Sequence, residues 1–541
     1  MTEAPLSVSS RSDGPVNRRS FIKIAALAAT VAGTSTAQDR PAGPSAPVQG
    51  PRVVSRSGRR SGPPPPPNEV PLSTQFQASP GGTGALVEEL SPLRRQDIPV
   101  LPWEGPRPRT AEEIAFLPVH RLAALIRGGE LTSTELTEIY LDRINRLNPK
   151  LLCAVNVMEG SARKEAARAD EELQAGHYRG PLHGIPYGIK DLFSVRGVPT
   201  TWGVEPFAER VIDEDSEISI RLRQAGAVLI AKLATGAFAS GDRWFRGQTK
   251  NPWNPVRGSS GSSAGPGSAT AAGCVAFSVG TETLGSIVSP SMRCGISALR
   301  PTFGRVSRHG AMTLSWSMDK AGPMCRTIED CALVFNVIHG ADPKDPSTVS
   351  APFEWQRSED LSGLRIGYAE RTPEIILTKL RELGAKPKPV GPRPSSEAVR
   401  NVLNIESSAA FEYFFTENPE AAEAGRTNAA RRFRINQEQA TTALEYIQAQ
   451  RHRLLAMREM EAFMEDLDLY VSLNGDSGLT NLTGHPVVVF PYQFGSSLVN
   501  VPDQPRCATL VGRLFGDDLI LTVANAYQSA TEWHTRHPEI S

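Results

Sequence analysis

From Gly258 to Ile287 the chain reads GSSGSSAGPGSATAAGCVAFSVGTETLGSI, two glycine/serine clusters held apart by small and apolar residues. No other stretch limits the fold as much. The run CVAFSV has the length and composition of a buried strand, and the small residues from Gly267 to Gly273 suit a helix that approaches its neighbours closely. A loop–helix–strand–loop unit of this kind returns the second cluster beside the first. The rest of the chain alternates in the same way. TSTELTEIYLDRINRLNP opens with a capping pair, Thr132 and Glu135, places Leu136, Ile139, Tyr140, Ile144 and Leu147 on one helical face, and ends before Pro149. LLCAVNV suits a strand, SARKEAARADEELQAG a helix, EISIRLRQAG a glycine-capped helix, and AVLIAKL a buried strand. Further strands are expected at GLRIGYA, LDLYVSL and HPVVVFP, with one long helical stretch between about Asn428 and Glu465. Alternating helices and apolar strands define an α/β protein whose sheet is covered on both faces.

The N-terminal fifth is different. NRRSFIK places Arg18 and Arg19 before the apolar run IAALAATVAG, and TSTA (Thr34–Ala37) offers small residues for cleavage. At roughly a dozen residues the run is too short to cross a ~30 Å bilayer as a helix. Residues 1–37 therefore resemble a twin-arginine export signal, which implies a periplasmic or extracellular protein with no stable membrane insertion after processing. Residues 38–107 are rich in Pro, Gly, Ser and Arg and read as a disordered linker. The folded domain is expected over 108–541. Lys+Arg and Asp+Glu both number 58, so the charge balance argues against a nucleic-acid partner. The six cysteines are too sparse for a disulfide framework and form no zinc pattern; a single bridge stays open.

GIPYGIKDLF places Lys190 at the end of an apolar strand, where desolvation lowers a lysine's pKa and frees a neutral amine to act as a base. Ser262 and Ser286 lie in the two Gly/Ser clusters, and the glycines around Ser286 let successive N–H groups converge on an oxyanion. These segments, together with DKAGPMCRTIEDCA and NLTGHPVVVFP, resemble the amidase signature family from about Thr110 to Pro538. The resemblance implies a single domain around a mixed sheet and a Ser–cisSer–Lys triad. In it Lys190 is the base, Ser262 the bridging serine with a cis peptide bond, and Ser286 the nucleophile. The backbone of Thr283, Leu284, Gly285 and Ser286 forms the oxyanion hole, and Ser263 has a supporting role. The implied reaction cleaves a small-molecule carboxylic amide to acid and amine through an acyl-enzyme, with no metal or organic cofactor.

Three positions depart from the family pattern. Glu282 stands for Asp and Leu284 for Gly, which is expected to reshape the oxyanion turn, and Val288 stands for a frequent Arg, which weakens the case for an anionic substrate. The family also contains the glutamine-hydrolysing component of tRNA-dependent amidotransferases, whose cytoplasmic partners conflict with an export signal. A catalytically impaired binding homologue is a further alternative. GSSAG also fits a G-x-S-x-G nucleophile elbow on Ser263, but the polar, proline-broken GQTKNPWNPVR before it is not the strand an elbow requires. Asp191, next to Lys190, offers a purely structural ion pair as the plain reading of that lysine.

Overall fold

In the computed structural model of the protein, the described residues are 95–420, 427–439, 442–495 and 503–540. The expected export signal and the linker up to residue 94 lie outside them. Residues 95–107, which composition assigns to the linker, belong to the packed body instead. Ile98 and Val100 are buried, the Gln96 N–H donates to Asn336 Oδ1 (3.1 Å), and its side chain donates to the Trp355 carbonyl (2.6 Å).

The first long helix, α1 (Ser133–Leu151), starts where Thr132 Oγ1 accepts the Glu135 N–H at 3.0 Å. It runs through Pro149 rather than stopping before it. A proline in the last turn forfeits one backbone hydrogen bond, and Leu152 closes the helix in the left-handed region (φ 50°), donating to Asn148 O at 2.8 Å. Strand β1 (Ala154–Val157), α2 (Glu159–Gln174), β2 (Pro186–Lys190), α3 (Glu217–Gln224) and β3 (Val228–Leu233) follow. Next come α4 (Ala264–Ala271), β4 (Phe277–Glu282), α5 (Val288–Cys294), β5 (Ser297–Arg300), β6 (Lys320–Cys325) and α6 (Ile328–Ile338). Beyond them lie β7 (Ile366–Tyr368), β8 (Lys388–Pro389), α7 (Ala398–Ala410), α8 (Asn428–Gln439) and α9 (Ala443–Phe463). The chain closes with β9 (Leu469–Ser472), β10 (Val487–Gly495), β11 (Gln504–Gly512) and α10 (Asp517–Ser529).

Two expectations shift. The strand expected at CVAFSV starts at Phe277 and takes in Gly280–Glu282, because it pairs antiparallel with β6 as far as Glu282↔Lys320. The stretch expected as one helix from Asn428 is two helices, since Thr442 makes a capping box with Glu445 and begins α9 afresh.

Among the described residues the main sheet has 11 strands in the order β1-β3-β2-β4-β6-β5-β10-β11-β9-β7-β8. It is mixed: β3, β2 and β4 run parallel, the centre from β4 to β9 is antiparallel, and β9, β7 and β8 are parallel again. Successive strand residues point to opposite faces, and here they enter two separate cores. Val488 and Phe490 pack with α6 and α10 residues such as Phe335 and Leu521. Val487 and Val489 pack with Val288 of α5, Val402 of α7 and Met460 of α9. Helices therefore cover both faces. All six cysteines are buried and unbridged.

Candidate active site

The two Gly/Ser loops meet the end of β2 where its pairing with β4 stops. Parallel pairing sets Ile189 against Val279, so the next residues, Lys190 at the end of β2 and Gly280–Thr281 near the end of β4, lie side by side. Lys190 is fully buried. Its Nζ lies 2.8 Å from Ser262 Oγ, 3.1 Å from Ser263 Oγ and 2.7 Å from Thr281 Oγ1. Burial holds its pKa well below the usual lysine value, against the opposing pull of Asp319 and Glu282. Asp191, one residue on, does not pair with it. Asp191 instead sits 3.0 Å from the Lys232 ammonium and accepts the Thr201 N–H at 3.0 Å.

The first serine cluster is fixed by close approaches. The Gly261–Ser262 peptide bond is cis, and a Cβ on Gly261 would sit 2.0 Å from the Gly241 carbonyl oxygen. The Ser263 N–H donates to the Ser286 carbonyl at 3.1 Å, which locks the two clusters together. Ser263 Oγ donates to Thr281 O (3.0 Å) and accepts from Thr281 N (3.2 Å). Its hydroxyl is thus committed within the cluster. A short strand does precede it, Asn254–Gly258, but that strand pairs with Lys250–Asn251 in a separate ribbon. The geometry of a nucleophile elbow is absent there.

The second cluster turns at Gly285, whose φ of +87° is the left-handed conformation that glycine adopts without strain. Among the described residues the N–H groups of Thr283, Leu284, Gly285 and Ser286 donate no hydrogen bond. Ser286 is 8% exposed, against 1% for Ser262 and 0% for Ser263, so of the three hydroxyls it stands nearest to solvent. Leu284 is half-buried and packs its side chain against the core that contains Val288 of α5.

Sequence reasoning named Glu282 and Thr283 but missed the partners through which they hold this turn. Glu282 Oε2 accepts the N–H groups of Ile287 (2.8 Å) and Val288 (2.9 Å), while Oε1 accepts from Arg300 (3.0 Å) and Asn481 (2.7 Å). Burial pushes this carboxyl up, yet Arg300, the two backbone donors and Asn481 outweigh it and hold the pKa below its ordinary value. Thr283 Oγ1 donates to Asp319 at 2.6 Å, and the same carboxylate accepts from the Leu314 and Ser315 N–H groups. Thr281, which meets the Lys190 amine, was not singled out at all. A small cavity of about 20 Å³ lies beside Thr281 and Thr283.

Comparison with known proteins places this arrangement in company. The family model described as Amidase matches residues 135–472. A glutamyl-tRNA(Gln) amidotransferase subunit from Roseiflexus sp. (strain RS-1) is 34% identical over 482 residues, covering 77% of this chain and 96% of the relative. Two crystal structures share the fold. An amidase family protein from Bacillus anthracis str. Ames has a TM-score of 0.70 at 26% identity, covering 79% of this chain and 93% of its own. Native peptide amidase from Stenotrophomonas maltophilia has a TM-score of 0.68 at 28% identity, covering 78% and 98%.

Proposed function

This chain belongs to the amidase signature family and is a hydrolase acting on amide C–N bonds, and from that premise we propose that it cleaves a small-molecule carboxylic amide to acid and amine through an acyl-enzyme on Ser286. The observation that carries the assignment is the 2.8 Å separation of Lys190 Nζ from Ser262 Oγ in a fully buried site. Because Ser263 gives its proton to Thr281 O, it can only accept from Nζ. A neutral amine that donates to Ser263 and Thr281 turns its lone pair toward Ser262. Ser262 then passes a proton to Nζ as it takes one from Ser286 Oγ, which attacks the carbonyl carbon. The tetrahedral oxyanion accepts from the open N–H groups of Thr283, Leu284, Gly285 and Ser286, with the Thr283 side chain fixed by Asp319; such preorganised donors contribute about 10²–10³ in rate each. The relay returns a proton to the departing amine, and water activated in the same way frees the acid.

The test is a labelled fluorophosphonate reaction with mass mapping, followed by a broad amide panel. Adduct on Ser286, lost in Ser286→Ala along with turnover while the protein stays folded, is the expected result. Adduct elsewhere, or full turnover in Ser286→Ala, refutes the nucleophile. A catalytically impaired binding homologue would take up no label and turn over no amide.

A second reading is favoured by the curated relatives, which are named as amidotransferase subunits. In it the substrate is glutamine and the ammonia is consumed by a partner protein. Glutaminase activity that rises when such a partner is added would support it. Export, proposed from Arg18 and Arg19, separates the two readings, because the expected partners are cytoplasmic.

A further inference from the structure

The turn that presents the 283–286 amides is gripped by groups outside the two serine clusters, and these trace back to α7 and α9. One grip is on Glu282, which accepts from Asn481 Nδ2 at 2.7 Å. Asn481 belongs to the short helix Ser477–Thr483. The other grip is on Thr283, whose hydroxyl donates to Asp319 at 2.6 Å. Asp319 is set in turn by the loop before it, because its second oxygen accepts the Leu314 and Ser315 N–H groups at 2.8 and 3.0 Å. The turn is therefore aimed only as well as the 477–483 helix and the 314–319 loop are fixed.

Both supports are tied to the helices that cover this face of the sheet. Glu406 of α7 is 3% exposed. One of its oxygens accepts from Ser315 Oγ and from the Ser317 N–H (3.1 Å), and the other from Ser317 Oγ (2.6 Å). That second oxygen also accepts from the Tyr446 hydroxyl (3.0 Å) and from Gln450 Nε2 (3.4 Å), both on α9. Arg453 follows at helical spacing on the same face of α9. Its Nη2 donates to the Ser317 carbonyl and its Nε to the Leu482 carbonyl, each at 2.7 Å. One planar guanidinium thus bridges the 314–319 loop and the 477–483 helix, and its rigid fork sets the spacing between them. The Leu284 side chain adds a third tie, since it packs against the core that holds Val402 and Leu403 of α7 and Met460 of α9. A carboxylate and a guanidinium suit this task, because charge-assisted hydrogen bonds are about twice as strong as neutral ones.

From this convergence we infer that Glu406 and Arg453 are positioning residues for the amide cleavage proposed above, on which the inference rests. Glu406 acts through Ser315, Ser317 and Asp319 on Thr283. Arg453 acts through Ser317 on the same side and through Leu482 on the Asn481–Glu282 side. Helices α7 and α9 are in this way part of what aims the oxyanion donors. Such donors stabilise the developing charge only when held where it forms, and a misplacement of about 1 Å costs about 10²-fold in rate.

The experiment uses the full-length protein and an amide that the wild type turns over, with kcat expressed per Ser286 titrated by fluorophosphonate, well below each variant's Tm. Glu406→Gln and Arg453→Met should each lower kcat at least about tenfold with KM changed less than about threefold, the split expected of a loss felt in the transition state. Ser317→Ala removes a single hydroxyl from Glu406 and should lower kcat in the same direction; it decides the matter where the buried-charge variants do not fold. The control is Asp330→Asn on α6, which covers the other face of the sheet. That buried carboxylate accepts the Val119 and His120 N–H groups (2.9 and 3.0 Å), so the variant should lose Tm while keeping kcat per site. In a Thr283→Val background, where the link to Asp319 is already cut, Glu406→Gln should cost less than about threefold more. Unchanged kcat in the Glu406, Arg453 and Ser317 variants overturns the inference, as does an equal loss in Asp330→Asn or full additivity with Thr283→Val; Ser286 then remains the nucleophile. Absence of wild-type labelling and turnover removes the amide-hydrolysing reading and the inference together.

Discussion

Replacing Glu282 by glutamine changes one oxygen for an NH2 group and leaves the volume alone. The wild-type carboxylate serves two donor pairs, Ile287 and Val288 on one oxygen, Arg300 and Asn481 on the other. Glutamine has one acceptor oxygen, so at one pair its own N–H groups must face other donors, and Arg300, with 0% side-chain exposure, loses its countercharge. Breaking a buried ion pair from one side costs about 3–5 kcal/mol. Unfolding entropy of ~2.1 cal/mol/K per residue over a body of about 430 residues gives ~0.9 kcal/mol/K, so Tm should drop by about 3–6 °C at pH 7. The sign of the pH dependence follows from the lowered Glu282 pKa. Its stabilisation is complete above the ordinary value of 4.5 and is lost as pH falls through the lower folded-state value, so the deficit of Glu282→Gln should narrow below about pH 4.5. Because the turn that aims the 283–286 amides hangs on the same carboxylate, kcat should fall at least about tenfold with KM little changed, as for a group acting in the transition state. Scanning calorimetry and steady-state kinetics on one preparation decide it. An unchanged Tm refutes the buried-pair argument; a lowered Tm with intact kcat refutes the role assigned to the turn.

Lys190→Met should abolish detectable turnover and yet raise Tm near neutral pH, since it removes a buried amine whose charged form the site penalises. A lysine whose folded pKa is lowered makes wild-type stability rise with pH up to the ordinary 10.5, so the advantage of Lys190→Met should shrink on going alkaline. A destabilised Lys190→Met, or a wild-type rate that does not fall toward acid pH, would count against a neutral-lysine base. For the N-terminal segment, a reporter fused to residues 1–45 should leave the cytoplasm only while Arg18 and Arg19 are both present; export that survives their replacement by lysine removes the twin-arginine proposal.

Lys190, Ser262 and Ser286 could be singled out in the chain because each lies in a short segment whose local grammar, glycine-flanked serine or strand-terminal lysine, is set by neighbours in sequence, while their proposed roles, and the place of Ser263, came from the family resemblance. The α/β class was legible for the same reason: helical and strand periodicities are properties of windows a few residues wide. What the sequence could not say is who pairs with whom across the sheet. Asp191 looks like the partner of Lys190, but consecutive residues at a strand end diverge, and Lys232 from the parallel neighbour β3 meets Asp191 instead. Thr281 reaches Lys190 only because β2 and β4 lie side by side in a sheet whose order departs from chain order. Glu282 could be seen as a departure in a motif; its anchoring role needed Arg300 from β5 and Asn481, nearly two hundred residues away. Local conformational preference fixes which residues carry hydroxyls and an amine into loops. Non-local packing alone decides that those loops converge, dry and paired, because desolvation and buried hydrogen bonding depend on every neighbour in space.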